Sequence, residues 1–110
     1  MKPSSEIRAN EGYPTDTRDL LVGPVIITRY LGPTNHRYSR IKAIHKRDSE
    51  TTWQVTIPWD HALTTEANHM AAAQQLVGNW ITSSDLLIAG RGHDFEAYYW
   101  LVIGRYQLEG

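Results

Sequence analysis

Between Gly32 and Arg40 the chain reads Gly-Pro-Thr-Asn-His-Arg-Tyr-Ser-Arg, a run dense in side-chain donors and without a carboxylate. An anion is the ligand such a run suits. Phosphate oxygens need several hydrogen bonds from positive or neutral donors, and Thr34, Asn35, Arg37, Ser39 and Arg40 can supply them while His36 or Tyr38 stacks on a base. Arg29 before the run, and Lys42 and Lys46 after it, extend the set. The candidate nucleic-acid- or nucleotide-binding residues are therefore Arg29, Thr34, Asn35, His36, Arg37, Tyr38, Ser39, Arg40, Lys42 and Lys46. The competing account is a solvated loop whose Thr and Asn satisfy turn backbone groups.

Trp59-Asp60-His61 places a carboxylate beside an imidazole, the pair a small hydrolase would use for acid–base work. The simpler account makes Asp60 a turn residue ahead of a helix and Trp59 a core anchor. His61 and His69 are eight apart across a helix start, which is neither an H-x-x-x-H pair nor a compact chelate, so no metal site is assigned. Gly90-Arg91-Gly92 lacks the frame and the strand-to-helix setting of a phosphate loop. No catalytic residue and no cofactor is assigned, and a non-enzymatic protein is the expectation.

The net charge of −1 hides an uneven layout. Residues 20–47 hold six basic and no acidic groups, whereas residues 48–110 hold two basic and eight acidic ones. A positive stretch of this kind is a footprint for polyanions even in a near-neutral chain. With no Cys among 110 residues, disulfides, thiolate metal sites and cysteine nucleophiles are excluded. The start of the sequence has no apolar leader, and no run approaches the roughly 18 apolar residues that span a bilayer. A cytoplasmic protein of a bacterial host cell, with no membrane partner, is expected.

These residues need elements to hold them. Residues 1–19 are polar and aperiodic and are expected to form a flexible arm, leaving 20–110 as one α+β domain. Val25–Leu31 is rich in β-branched residues. Arg40–Lys46 alternates, with Ile41, Ala43 and His45 on one face and the basic residues on the other, and Trp53, Val55 and Ile57 alternate in a third strand. The last two of these read as an antiparallel hairpin.

A helix of about 13 residues follows, with Thr64 as N-cap, Gly78 as C′ stop, and a core stripe of Met70, Ala73, Leu76 and Val77. Strands at 86–89 and 95–103 complete the chain, joined by a turn over Gly90–Asp94, with a short strand near Trp80 ahead of them. The expected fold is a mainly antiparallel sheet of about five strands with one helix packed on it, in the order β-β-β-α-β-β. Both faces of the last strand are apolar, so it is either central and covered on both sides or presents Tyr98 and Trp100 as a protein-binding or homodimer surface, which is the site assigned here.

Ile27-Thr28-Arg29-Tyr30-Leu31-Gly32-Pro33-Thr34-Asn35-His36-Arg37-Tyr38-Ser39-Arg40-Ile41-Lys42-Ala43, followed by Pro58-Trp59-Asp60-His61-Ala62-Leu63 and Asn68-His69-Met70-Ala71-Ala72-Ala73, resembles a family of small proteins carried by bacteriophages and bacterial mobile elements. The resemblance spans roughly residues 26–77 and brings no activity with it. It implies a mobile-element accessory protein that binds and inhibits a host defence protein or ribonucleoprotein complex, in the manner of an anti-CRISPR or anti-restriction inhibitor.

Overall fold

The computed structural model describes residues 20–80 and 85–109. The expected arm, residues 1–19, lies outside them. Five strands form one antiparallel sheet: β1 (Val25–Leu31), β2 (Arg40–Lys46), β3 (Thr52–Pro58), β4 (Leu86–His93) and β5 (Tyr98–Gly104). The spatial order is β3-β2-β1-β5-β4, so β1 is central and paired on both sides. Between the two edge strands β3 and β4 runs the helix α1 (Thr65–Gly78), which crosses one face of the sheet. A four-residue helix, α2 (Tyr106–Glu109), ends the described chain. No helix among the described residues is long and apolar enough to cross a membrane.

The architecture and element order are those expected; β1 falls where its β-branched content put it, and the β2–β3 hairpin where the alternation put it. Ile41 and Ala43 of β2 are fully buried under the helix, with Ile26 of β1 and Val102 of β5. Ala43 meets Ala72 and Ala73 in the same cluster, and side chains this small let helix and sheet approach closely.

The helix itself is rotated from the expected stripe. Thr64 caps its start, accepting from the Ala67 N–H at 3.1 Å. The buried residues, however, are Asn68, His69, Ala72, Ala73, Leu76 and Val77, while Met70 lies exposed. Positions 68/69, 72/73 and 76/77 repeat at helical spacing. Their first rung is polar, which is why an apolar count misplaces the stripe. Gly78 is the last helical residue rather than a stop beyond it, and Asn79 takes the cap position in ordinary right-handed backbone. Trp80 then sits in a turn closed by its N–H on the Val77 carbonyl, not in a strand.

The second half departs most from expectation. β4 runs through Gly90, Arg91 and Gly92 to His93, and neither glycine adopts a left-handed backbone. The turn instead spans Asp94–Ala97, leaving Phe95 out of β5 and almost fully exposed. Between Ile88 and Gly90 the β4–β5 register slips by one residue at Ala89. This bulge reverses the alternation, so that Arg91, paired opposite Trp100, shares its helix-side face.

Trp100 is the clearest correction. It is 4% exposed and belongs to the core, so it offers no docking surface; Tyr98 beside it is half-buried. Both point toward the helix because even-numbered residues of β5 face the same way as Ile26 and Thr28 of β1, opposite which they pair.

Ahead of β1 the chain is tied down at Val22, whose N–H and carbonyl both bond the Gln107 side chain of α2, at 3.0 and 2.6 Å. Gly23 lies so close to β5 that a Cβ there would fall 1.7 Å from the Val102 carbonyl oxygen. Gly23→Ala is therefore expected to cost roughly 1–3 kcal/mol or more as the strand is displaced. Urea unfolding followed by tryptophan fluorescence measures it.

Candidate functional site

The strand directions bring the chemistry-bearing segments to one end of the sheet. The loop 32–39 leaves β1 and enters β2 there, Trp59-Asp60-His61 leaves β3 there, α1 begins there, and the Asp94–Ala97 turn joins β4 to β5 at the same end. Four of the five histidines, His36, His61, His69 and His93, belong to these segments; His45 is at the other end, near Trp53 and Trp80. Among the described residues no three His, Asp or Glu side chains come together as a metal site.

Several polar side chains there close turns. Thr34 Oγ1 accepts from the His36 and Arg37 N–H groups at 3.3 and 3.1 Å. Asp60 Oδ1 accepts from the Ala62 N–H at 2.9 Å, which leaves that oxygen occupied by a turn rather than orienting the exposed His61. Asn68, 1% exposed, locks the same turn: its Oδ1 accepts the Asp60 N–H at 2.8 Å and its amide donates to the Asp60 and Thr64 carbonyls. Asp94 Oδ1 accepts from the Glu96 and Ala97 N–H groups, and its Oδ2 from the Tyr99 hydroxyl at 2.7 Å. That hydroxyl bond is the main reason the Asp94 carboxyl lies below its usual pKa and the Tyr99 phenol above its own.

The donor loop is divided by the same logic. Ser39 is a framework residue, its Oγ 2.9 Å from the Tyr30 hydroxyl and its carbonyl accepting the Trp59 N–H. Asn35, His36, Arg37 and Tyr38 are exposed, Tyr38 almost entirely, and Arg40 donates from Nε to the Tyr38 carbonyl at 3.3 Å. Arg29, Arg40, Lys42 and Lys46 lie on the sheet face away from α1, alternating with the buried Thr28, Ile41 and Ala43. Arg29 stands directly opposite Lys42, and Arg40 occupies the adjacent diagonal position; Lys46 is farther along β2 opposite Thr52. Tyr98 and Trp100 are on the other face.

Under the start of α1 lies a row of rings that the sequence reading did not assemble. His93 stacks on Tyr98 with centroids 5.4 Å apart, Tyr98 on His69 at 4.2 Å, Trp59 meets His69 edge-on at 6.2 Å, and Tyr30 meets Trp59 edge-on at 5.1 Å. Arg91, brought to this face by the bulge, lies over the Tyr98 ring and pairs with Glu66 of α1, which lowers the Glu66 pKa. At the centre, Thr28 Oγ1 accepts from Trp100 Nε1 at 2.9 Å and stands 2.8 Å from His69 Nδ1. Thr28 is fully buried and His69 is 4% exposed.

Only the helical repeat of 68/69, 72/73 and 76/77 signals His69 in the sequence, and nothing local links it to Thr28, 41 residues away. Comparison with protein-family models, with curated proteins and with solved structures finds no match for this chain.

Burial is the main cause that holds His69 below its ordinary pKa of 6.5. The unfolded chain then binds more protons than the folded one as the pH falls below 6.5, so folding stability decreases there and is retained above it. Thermal unfolding from pH 7.5 to 5 is expected to show that loss, and a smaller one in His69→Gln. Thr28→Val, which keeps the shape but removes the hydroxyl, is expected to cost roughly 1–3 kcal/mol for each of the two buried nitrogens it orphans. Chemical denaturation at pH 7.5 checks this.

Proposed function

We propose that this protein is a non-enzymatic binding protein that takes single-stranded nucleic acid on the basic face of its sheet. One observation carries the reading: Arg29 and Lys42 face each other across β1 and β2, with Arg40 on the diagonal. Like charges directly opposite in a sheet are destabilising, and an anionic ligand reverses the sign of that cost. The cations make no ion pair with any described carboxylate; Asp94, whose charge Arg29 feels, has its oxygens engaged by its own turn and by Tyr99.

A strand rather than a duplex fits the surroundings. On this face of the antiparallel sheet Tyr99 is half-buried, and Tyr38 projects from the neighbouring loop, so rings are present on which unpaired bases can stack. Arg37 adds a further donor beside the three on the sheet. If the resemblance to mobile-element proteins carries through to function, a host nucleoprotein complex would be met through this face and not through Trp100.

Three phosphate contacts imply a salt slope of about −2 for a single strand, hence roughly a twentyfold loss of affinity between 50 and 200 mM salt. Fluorescence anisotropy with a labelled 12-residue oligonucleotide should show it. In Arg29→Glu/Lys42→Glu the binding should disappear. An unchanged affinity in that variant, or an affinity indifferent to salt, would reduce the basic face to a solvated one.

A further inference from the structure

On the opposite face, at the same end, Tyr30, Trp59, Thr65 and His69 enclose a depression of about 370 Å³. We propose that it is a binding site for a nucleobase bearing a ring carbonyl, whose oxygen accepts a hydrogen bond from His69 Nε2.

The protons of the buried relay determine what His69 offers. Indole Nε1 can only donate, so Thr28 Oγ1 accepts from Trp100. The Thr28 hydroxyl proton then needs an acceptor, and His69 Nδ1 at 2.8 Å is the partner within reach among the described residues. With Nδ1 accepting, the neutral ring carries its proton on Nε2. Nε2 has no partner among the described residues, yet it is not one of the sealed polar atoms, a condition met there only by Trp80 Nε1. His69, 4% exposed, thus lines the depression while carrying an unpartnered donor that is not sealed from it.

The walls narrow the ligand class. Trp59 and Tyr30 are held edge to face, and Ser39 fixes the Tyr30 hydroxyl, so a planar ring meets preset aromatic surfaces. Thr65 is the first residue of a 14-residue helix, where free N–H groups and the positive end of the dipole favour an acceptor. Among the described residues no cation lines the depression: Arg40 is turned to the Tyr38 carbonyl and Arg91 to Glu66. Aromatic walls over a neutral donor fit a base better than a phosphate. The site is independent of the basic face, since a nucleoside carries no phosphate.

The test titrates uridine into the full chain and follows backbone and His69 ring ¹⁵N resonances. Saturable shifts at Thr65, Ala67 and His69, with the ring in the Nε2–H form, are expected; ribose 5-phosphate should leave them unmoved. Thr65→Trp fills the depression from an exposed position without touching the core, and should weaken uridine at least tenfold while the unfolding midpoint stays put. Thr65→Ser should bind as the parent does.

Arg29→Glu/Lys42→Glu should keep uridine binding even where it loses the oligonucleotide, which separates this site from the basic face. In the parent protein, competition between uridine and an oligodeoxyuridine assigns the base to a strand, and independent binding assigns it to a free nucleoside. No saturable shift with uridine, an Nδ1–H ring, equal shifts from ribose 5-phosphate, or parent-like binding in Thr65→Trp would each overturn the proposal.

Discussion

A single buried hydroxyl joins the three parts of this fold. Thr28 is on the central strand, Trp100 on the strand beside it and His69 on the helix above, and the Thr28 oxygen is within hydrogen-bond distance of both nitrogens. Sheet pairing would hold β1 to β5 without it, and alanine packing would hold α1 to the sheet. What the hydroxyl adds is direction. Apolar contacts are indifferent to small rotations of a helix, whereas a chain of hydrogen-bonded side chains in a dry interior tolerates little. The stacking of Tyr98 on His69 and the Asn68 clamp on the Trp59–Leu63 turn depend on the same rotational setting of α1.

Much of this architecture was legible in the sequence, and the parts that were not share a cause. β-branched content places β1, and period-two alternation places β2 and β3, whose apolar residues share the face toward the helix. The rotation of α1 escapes an apolar count because Asn68 and His69, two of the six buried helix residues, are polar and become intelligible only through partners far along the chain. Gly90 and Gly92 read as a turn because glycine usually marks one; here they belong to a strand beyond its bulge, in backbone that other residues also adopt. Trp100 reads as surface because β5 is apolar on both sides, and sequence alone does not say which side a helix covers.

The placement of the candidate site's residues was legible only in part. The basic residues of β1 and β2 could be put on one face from alternation alone. The loop that drew attention by its donors turns out to use Thr34 and Ser39 as framework, just as Asp60 and Asp94 serve their turns. Side chains of this kind bond their own backbone two or three residues on, and a linear motif cannot distinguish that use from a ligand contact. Arg40 shares that habit, its Nε donating to the Tyr38 carbonyl, so residue type alone does not separate framework from ligand contact here.

The two faces of β1 then carry different chemistry for a reason that burial imposes. Arg29 points to the sheet face away from α1, where it is exposed and water screens its charge; Thr28, one residue earlier, points inward. A lysine or arginine at the position of His69 would bring a desolvated charge under the helix and would need a carboxylate beside it. Neutral imidazole avoids that cost while still presenting an N–H, provided its tautomer is set. In the proposed relay the Thr28 hydroxyl sets it by accepting from Trp100 on one side and giving its own proton to His69 on the other. On that proposal the interaction that orients the helix also determines which atom of His69 meets a ligand.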